Sequence, residues 1–175
     1  MYSQDPSEGS PFDTGLANAL TPQYKRLAAL VGDCTFQTSR RDLLNLFSSK
    51  RNAWSYQIED SLPLLGQIPL INQLGVADLP ALGSFHVSDV VLCTFGTLPA
   101  SVSKNTLNLM STIISFATTH DPNNHGLADL PYWPRYNTDN RTLFRYKEDG
   151  PDLIPDTYRE EAFNFQNDNG DAFEF

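Results

Sequence analysis

Basic residues are scarce in this chain and nowhere gather. Twelve Lys and Arg stand against 21 Asp and Glu, and the densest basic groups are pairs such as Arg40-Arg41 and Lys50-Arg51. A phosphate backbone is held by clustered cations, so the composition argues against nucleic acid as a partner. No apolar run approaches the ~18 residues that a bilayer-spanning helix needs, so no transmembrane segment is expected. Met1-Tyr2-Ser3-Gln4-Asp5 lacks the basic and apolar regions of a secretory leader and looks like a truncation point. Cysteine occurs twice, at Cys34 and Cys93. Their spacing is neither C-x-x-C nor a zinc pattern, and both read as free, buried, small apolar residues. His120 and His125 stand in a Pro/Asn/Gly turn with no third ligand nearby, so no metal site is expected.

What is present suffices for one domain of 175 residues, with 40% apolar and 11% aromatic side chains to build a core. The acidity is concentrated at one end. Residues 148–175 hold nine acids against Arg159 alone, a net −8 of the overall −9. Within that acidic tail, residues 167–175 are expected to fray.

Residues 1–20, rich in Ser, Pro, Gly and Asp, read as an irregular strap. Thr21 can cap a helix with Pro22 in its first turn, Tyr24, Leu27, Ala28 and Val31 on one face, and Gly32 as its end. A second helix is predicted from Asp33 to Ser49, with Phe36, Leu43, Leu44 and Phe47 inward and Arg40 and Arg41 outside. Alternation over Ala53–Ile58 predicts a strand. A short helix is expected over Val87–Cys93. A longer one over Lys104–Thr118 buries Leu107, Met110, Ile113, Ile114 and Ala117. Trp133-Pro134 opens an exposed connection toward a strand at Thr142–Tyr146. Asp156 then caps a last helix whose Tyr158, Ala162 and Phe165 share a face. Asn140-Arg141-Thr142 is an N-glycosylation acceptor pattern, meaningful if the chain enters the secretory pathway.

The stretch richest in chemistry is Leu82-Gly83-Ser84-Phe85-His86-Val87-Ser88-Asp89. It sets an imidazole in a loop between an apolar lead-in and a helix start, where a histidine can act as a general base. A lone histidine in such a place is more often a loop or capping residue. Asp89, three residues on, and Ser88 suit backbone capping of the next helix better than catalysis. Ser84 and Ser88 are near His86, but neither lies in a nucleophile elbow.

This stretch resembles the catalytic-histidine region of the fungal type-B carboxylesterase/lipase family, the α/β-hydrolases of the Candida rugosa lipase group. Other matching pieces follow in the same order: Gly9-Ser10-Pro11-Phe12-Asp13-Thr14-Gly15, Leu20-Thr21-Pro22-Gln23-Tyr24-Lys25-Arg26, Phe116-Ala117 through Asp121-Pro122-Asn123, Trp133-Pro134-Arg135-Tyr136, and Asp156-Thr157-Tyr158-Arg159. The resemblance covers about residues 2 to 165. It implies the fold class α/β, with helices on a short, incomplete sheet, and residues 1–175 as the C-terminal part of a type-B carboxylesterase domain.

In that family the nucleophile stands in a G-x-S-x-G elbow, followed by the acid and last by the histidine. No G-x-S-x-G occurs here. The acid would also fall before Met1, leaving roughly the C-terminal third of an esterase with His86 as its one triad residue. The resemblance thus implies a carboxylic-ester hydrolase fragment that uses no metal or cofactor and is inactive alone. Its substrate, in a full-length parent, would be a hydrophobic ester, and an N-terminal complementing part is a candidate partner. The family is extracellular, whereas the chain itself leaves its location open. Residues 64–78 look like an insertion relative to the family, either a substrate-facing lid or retained non-coding sequence. The competing expectation is a non-catalytic remnant that binds a partner through apolar surface its missing sheet neighbours would cover. With two convincing strands, the chain is expected to be marginally folded and dye-binding.

Overall fold

The computed structural model describes residues 1–5, 16, 19–59, 84–92, 104–147 and 149–173. The 9–15 string, the 64–78 insertion, Leu82, Gly83 and Cys93 lie outside the described residues. The chain divides into two compact units. One comprises Met1–Ala53, Tyr136–Arg141 and Pro155–Phe175; the other comprises Trp54–Arg135 and Thr142–Ile154.

The first unit is helical. Helix α1 (Tyr24–Gly32) does not stop at its glycine, as the sequence suggested. Gly32 keeps right-handed helical angles, so nothing there breaks the spiral. The chain runs through a π-helical turn, Asp33–Gln37, into α2 (Thr38–Phe47). That wider turn carries one extra residue, and both of its flanking polar groups, Asp33 and Thr38, are buried. Asp33 receives a two-pronged Arg159 guanidinium at 2.6 Å on each oxygen, and the Tyr2 hydroxyl at 3.1 Å. The Thr38 hydroxyl donates to Gln166 Oε1 at 2.5 Å, while Gln166 Nε2 donates to Tyr2 at 2.8 Å.

The helix faces in this unit differ from those expected, although Leu44 faces inward as foreseen. Leu27, Val31, Phe36, Leu43 and Phe47 are exposed, whereas Lys25, Ala29, Arg41 and Leu44 are buried and Arg40 is half-buried. On α2 the cause is the buried carboxylate of Asp156. Arg40 grips it with two 2.7 Å bonds, Arg41 Nε reaches it at 2.8 Å, and the Tyr136 hydroxyl donates to it at 3.0 Å. A charge in the interior must be paired and hydrogen-bonded, and here that requirement turns the arginine face inward.

Asp156 therefore does not cap the last long helix. That helix, α5 (Glu160–Asp168), starts after Arg159, whose φ of 48° is left-handed and which provides no side-chain cap. Glu160 and Glu161 in its first turn suit the positive end of the helix dipole. Ala162, Phe163 and Gln166 face inward, while Phe165, expected to share that face, is exposed. Part of the expected frayed tail forms a short helix, α6 (Gly170–Phe173).

The second unit packs helices on a small mixed sheet. Strand β1 (Tyr56–Ile58) is shorter than the predicted 53–58 strand and pairs in parallel with β2 (Thr142–Tyr146), Tyr56 opposite Phe144. Parallel neighbours need a long crossover. Helices α3 (Ser88–Leu92) and α4 (Lys104–Thr119) lie within it. A third strand, β3 (Asp152–Pro155), lies on the far side of β2 and was not foreseen. Arg145 fixes its start through two bonds to Asp152, at 2.8 and 2.6 Å. Leu143 and Phe144 point to opposite faces of β2 and both are buried, as in a strand covered on both sides.

The core of this unit is Ile58, Leu109, Trp133, Phe144 and Tyr146, with Trp54, Tyr56, Phe85, Met110, Ile113 and Leu130 packed around it. Trp133, expected on an exposed connection, is only 5% exposed. Asn123 acts as a backbone mimic: its Oδ1 accepts the Trp133 N–H at 2.7 Å and its Nδ2 donates to the Trp133 carbonyl at 3.0 Å. The indole is thereby held 4.8 Å from the Phe144 ring and edge-on to Tyr56.

Helix α4 also turns differently from its predicted stripe. Leu107 and Ile114 are exposed and so is Ala117, while Asn105, Thr106, Leu109, Thr112 and Ser115 are buried. Three of the four buried polar side chains are satisfied, and the Thr106 hydroxyl is left without a partner among the described residues. Asn105 donates to the Lys147 carbonyl, Thr112 bonds the Leu109 carbonyl and the Tyr146 hydroxyl, and Ser115 donates to the Asp121 carbonyl.

Candidate active site

His86 lies in the turn between Ser84 and the start of α3, exposed to solvent, in the unit built on the aromatic core. Its position follows from two anchors on either side. Phe85, immediately before it, packs against the core cluster. Ser88, two residues after it, is buried and its N–H donates to the Phe85 carbonyl at 2.9 Å, closing the turn beneath the imidazole.

Val87 pays for the tightness of this turn. Its φ is 78°, a left-handed conformation that a β-branched residue rarely adopts and that costs about 1–3 kcal/mol. Such a conformation persists only where its surroundings over-determine it. The closing bond of Ser88 is one restraint and Asp89 supplies another. The Tyr56 hydroxyl, on β1, donates to Asp89 Oδ2 at 2.8 Å, and the Val90 N–H donates to Asp89 Oδ1 at 2.8 Å. The carboxylate three residues beyond His86 is thus committed to the strand and to the helix start.

The sequence marks Tyr56 only as a strand residue. Its bond to Asp89 joins positions 33 apart, so no local pattern announces it. The strained Val87 has no sequence signal either, since valine is among the last residues expected at positive φ.

The other histidines are engaged in backbone geometry. His120, at φ 59°, ends α4 with its N–H donating to the Phe116 carbonyl. His125 Nδ1 accepts the Leu127 N–H at 3.0 Å. Among the described residues no group of three or more His, Cys, Asp or Glu side chains is placed to hold a metal ion, and no helix is long and apolar enough to cross a membrane. Cys34 is free and half-buried. Burial, and then the Asp33 carboxylate, push its thiol above the ordinary value.

Asp156 centres a buried charged cluster in the helical unit. Burial opposes the charge on Asp156, but the hydrogen bonds and charges of Arg40 and Arg41 outweigh it and hold the carboxyl below its ordinary range. Burial, and then the same carboxylate, push the Tyr136 phenol up. All four side chains satisfy one another, which makes this a structural ion cluster. Arg40 and Arg41 lie more than 110 residues from Asp156 in sequence.

Comparison with known proteins adds a family context. Lipase 1 of Geotrichum candidum is 35% identical over 170 residues, which cover 96% of this chain and 26% of the lipase. Lipase 5 of Diutina rugosa is 40% identical over 134 residues, 77% of this chain and 20% of its own length. Secreted lipase 1 of Botryotinia fuckeliana is 33% identical over 169 residues, 94% of this chain and 26% of its own. The chain spans about a quarter of the length of these relatives, rather than a third. No protein-family profile matches it.

Proposed function

We propose that this chain, which is 33–40% identical to fungal lipases over about a quarter of their length, is the C-terminal portion of an α/β-hydrolase. In this reading it supplies the histidine of a Ser-Glu/Asp-His triad. The observation that carries the reading is the setting of His86, an exposed imidazole on a strained, doubly anchored turn that follows β1 of a parallel pair. Catalytic groups of open α/β sheets stand beyond the ends of such strands.

In a protein that also holds the nucleophile and the acid, neutral His86 takes the proton of the serine hydroxyl as it attacks an ester carbonyl. It then delivers that proton to the departing alcohol. The acid holds the other ring nitrogen in the required tautomer, and backbone N–H groups stabilise the oxyanion. Those groups are assigned to a part of the complete protein other than residues 1–175, which hold no G-x-S-x-G. The substrate class is a hydrophobic carboxylic ester, and the location of the complete protein is extracellular, as the names of secreted relatives suggest.

Asp89 belongs to the scaffold of this site, because its carboxylate is occupied by Tyr56 and the α3 backbone. The test is a protein extended to include a serine elbow and an acid. There His86→Ala lowers ester turnover by at least about a thousandfold, the order expected when a member of a triad acting as a unit is lost. Asp89→Asn costs far less. A histidine variant with near-normal turnover would remove His86 from the mechanism. The 175-residue chain alone leaves a fluorophosphonate probe unreacted, since a base with no positioned nucleophile beside it activates no hydroxyl.

A second reading is favoured by the apolar side chains left in solvent on α1 and α2, among them Leu27, Val31, Leu43 and Phe47. In that reading the chain is a non-catalytic remnant that binds a partner through this surface. Failure of the extended protein to hydrolyse any ester, with the fold intact, would favour it.

A further inference from the structure

We propose that Asn140 is an N-glycan acceptor. Asn140-Arg141-Thr142 is the one Asn-x-Ser/Thr tripeptide of the chain whose middle residue is not proline, and every other asparagine lacks the hydroxyl two positions on. Transfer takes place on the extended chain as it enters the secretory pathway. The tripeptide decides whether the reaction is possible, and the fold decides whether the product is tolerated.

The structure meets the second condition. Residues 137–140 are all exposed. They form a turn closed from within: Asn137 Oδ1 accepts the N–H groups of Asp139 and Asn140 at 3.0 and 2.6 Å, and the Asn137 N–H reaches the Asn140 carbonyl at 3.4 Å. The following residue is tied down as well, since the Arg141 guanidinium pairs with Glu160 and its carbonyl accepts the Asp156 N–H. A bulky, hydrated substituent at Asn140 therefore displaces no buried side chain and competes for none of these bonds.

The donor is a polyprenyl diphosphate-linked oligosaccharide. The Asn140 amide nitrogen attacks the anomeric carbon, a carbon–nitrogen bond forms, and the carbon–oxygen bond to diphosphate breaks. The polyprenyl diphosphate departs with the electron pair, and the amide proton passes to a base of the transferase. The relatives named as secreted lipases supply the context in which the chain meets such a donor. The inference does not depend on the role of His86, because occupancy is read by mass and esterolysis by rate.

The test is the full chain behind a cleavable secretory leader in a yeast host, recovered from the medium so that its passage is certain. The expected result is a heavier species collapsed by peptide-N-glycosidase, with the modified peptide containing Asn140. Asn140→Gln and Thr142→Ala each abolish the shift, and Thr142→Ser retains it because the hydroxyl remains. Secreted chain with an unmodified Asn140 would overturn the proposal, as would a shift that persists in both Asn140→Gln and Thr142→Ala.

Discussion

The two units of this molecule reach order by different means. The helical unit is organised around charge, with Asp156 fully buried beneath Arg40, Arg41 and Tyr136, and Asp33 beneath Arg159 and Tyr2. The sheet unit is organised around rings, Trp133, Phe144 and Tyr146 with Tyr56 at their edge. Charge pairing is directional and fails sharply when one partner is lost. Ring packing is spread over many contacts, and its loss scales with the volume removed. His86, the candidate base, is mounted on the ring-packed unit, where Phe85 and, through Asp89, Tyr56 anchor the strained turn at Val87.

The largest effect should come from breaking the charged centre. Asp156→Ala leaves two guanidinium groups without their carboxylate and is expected to cost about 3–5 kcal/mol, read as a lower urea midpoint by circular dichroism. A shift no larger than that of a surface control would show that the cluster contributes little. Leu109→Ala opens a cavity against Phe144 and Tyr146 and is expected to cost about 2–5 kcal/mol. Both tryptophans belong to the sheet unit, so their fluorescence should report this change most directly.

Acid should separate the two schemes further. The folded pKa of Asp156 lies below its unfolded value. Its contribution is therefore complete above the ordinary aspartate pKa of ~3.9 and is lost as pH falls through the depressed folded value. In the sheet unit the signs are mixed. Arg145 lowers the Asp152 carboxyl, while burial raises that of Glu59 against the pull of Arg145. Protonating Asp152 removes stabilisation, whereas protonating Glu59 relieves a buried charge. Helical signal should accordingly decline ahead of tryptophan fluorescence as pH drops below about 4, and Asp156→Asn should flatten that decline. Coincident curves with an unchanged slope in the variant would refute the assignment.

The smallest effects are expected at single neutral donors. Tyr136→Phe and Tyr56→Phe each remove one hydroxyl from a carboxylate, at a cost of about 1–3 kcal/mol, with the buried Tyr136 toward the upper end. Exposed apolar side chains on α1 and α2 predict binding of the dye ANS by the isolated chain. No enhancement of dye emission would show that this surface is covered.

Element positions were largely legible from sequence, and their orientation was not. Thr142–Tyr146 is a strand and Lys104–Thr119 a helix, close to their predicted limits, because alternation and helical spacing are properties of the local chain. The inward face of α2 was misjudged because arginine is ordinarily a surface residue. Only a carboxylate more than 110 residues away reverses that preference. The inward face of α4 was only partly legible: Met110 and Ile113 pack on the core as expected, but Asn105, Thr112 and Ser115 become good interior residues only once partners on and just after β2 and in the following loop accept or share their hydrogen bonds. Strand β3 escaped notice because Asp152 and two prolines flank an otherwise unremarkable Leu-Ile pair, and its start is fixed by Arg145.

The sequence by itself determined the likeness to fungal lipases, the sites of the main helices and of two strands, and the choice of His86 as the candidate base. Those are written in motifs and periodicities that span a few residues. The tertiary structure alone decided that Trp133 is core, that Arg40 and Arg41 turn inward, and that the turn at His86 is strained at Val87 and pinned by Tyr56 through Asp89. Each of these rests on pairing or packing between residues far apart in the chain, where the energy of a side chain depends on what it meets.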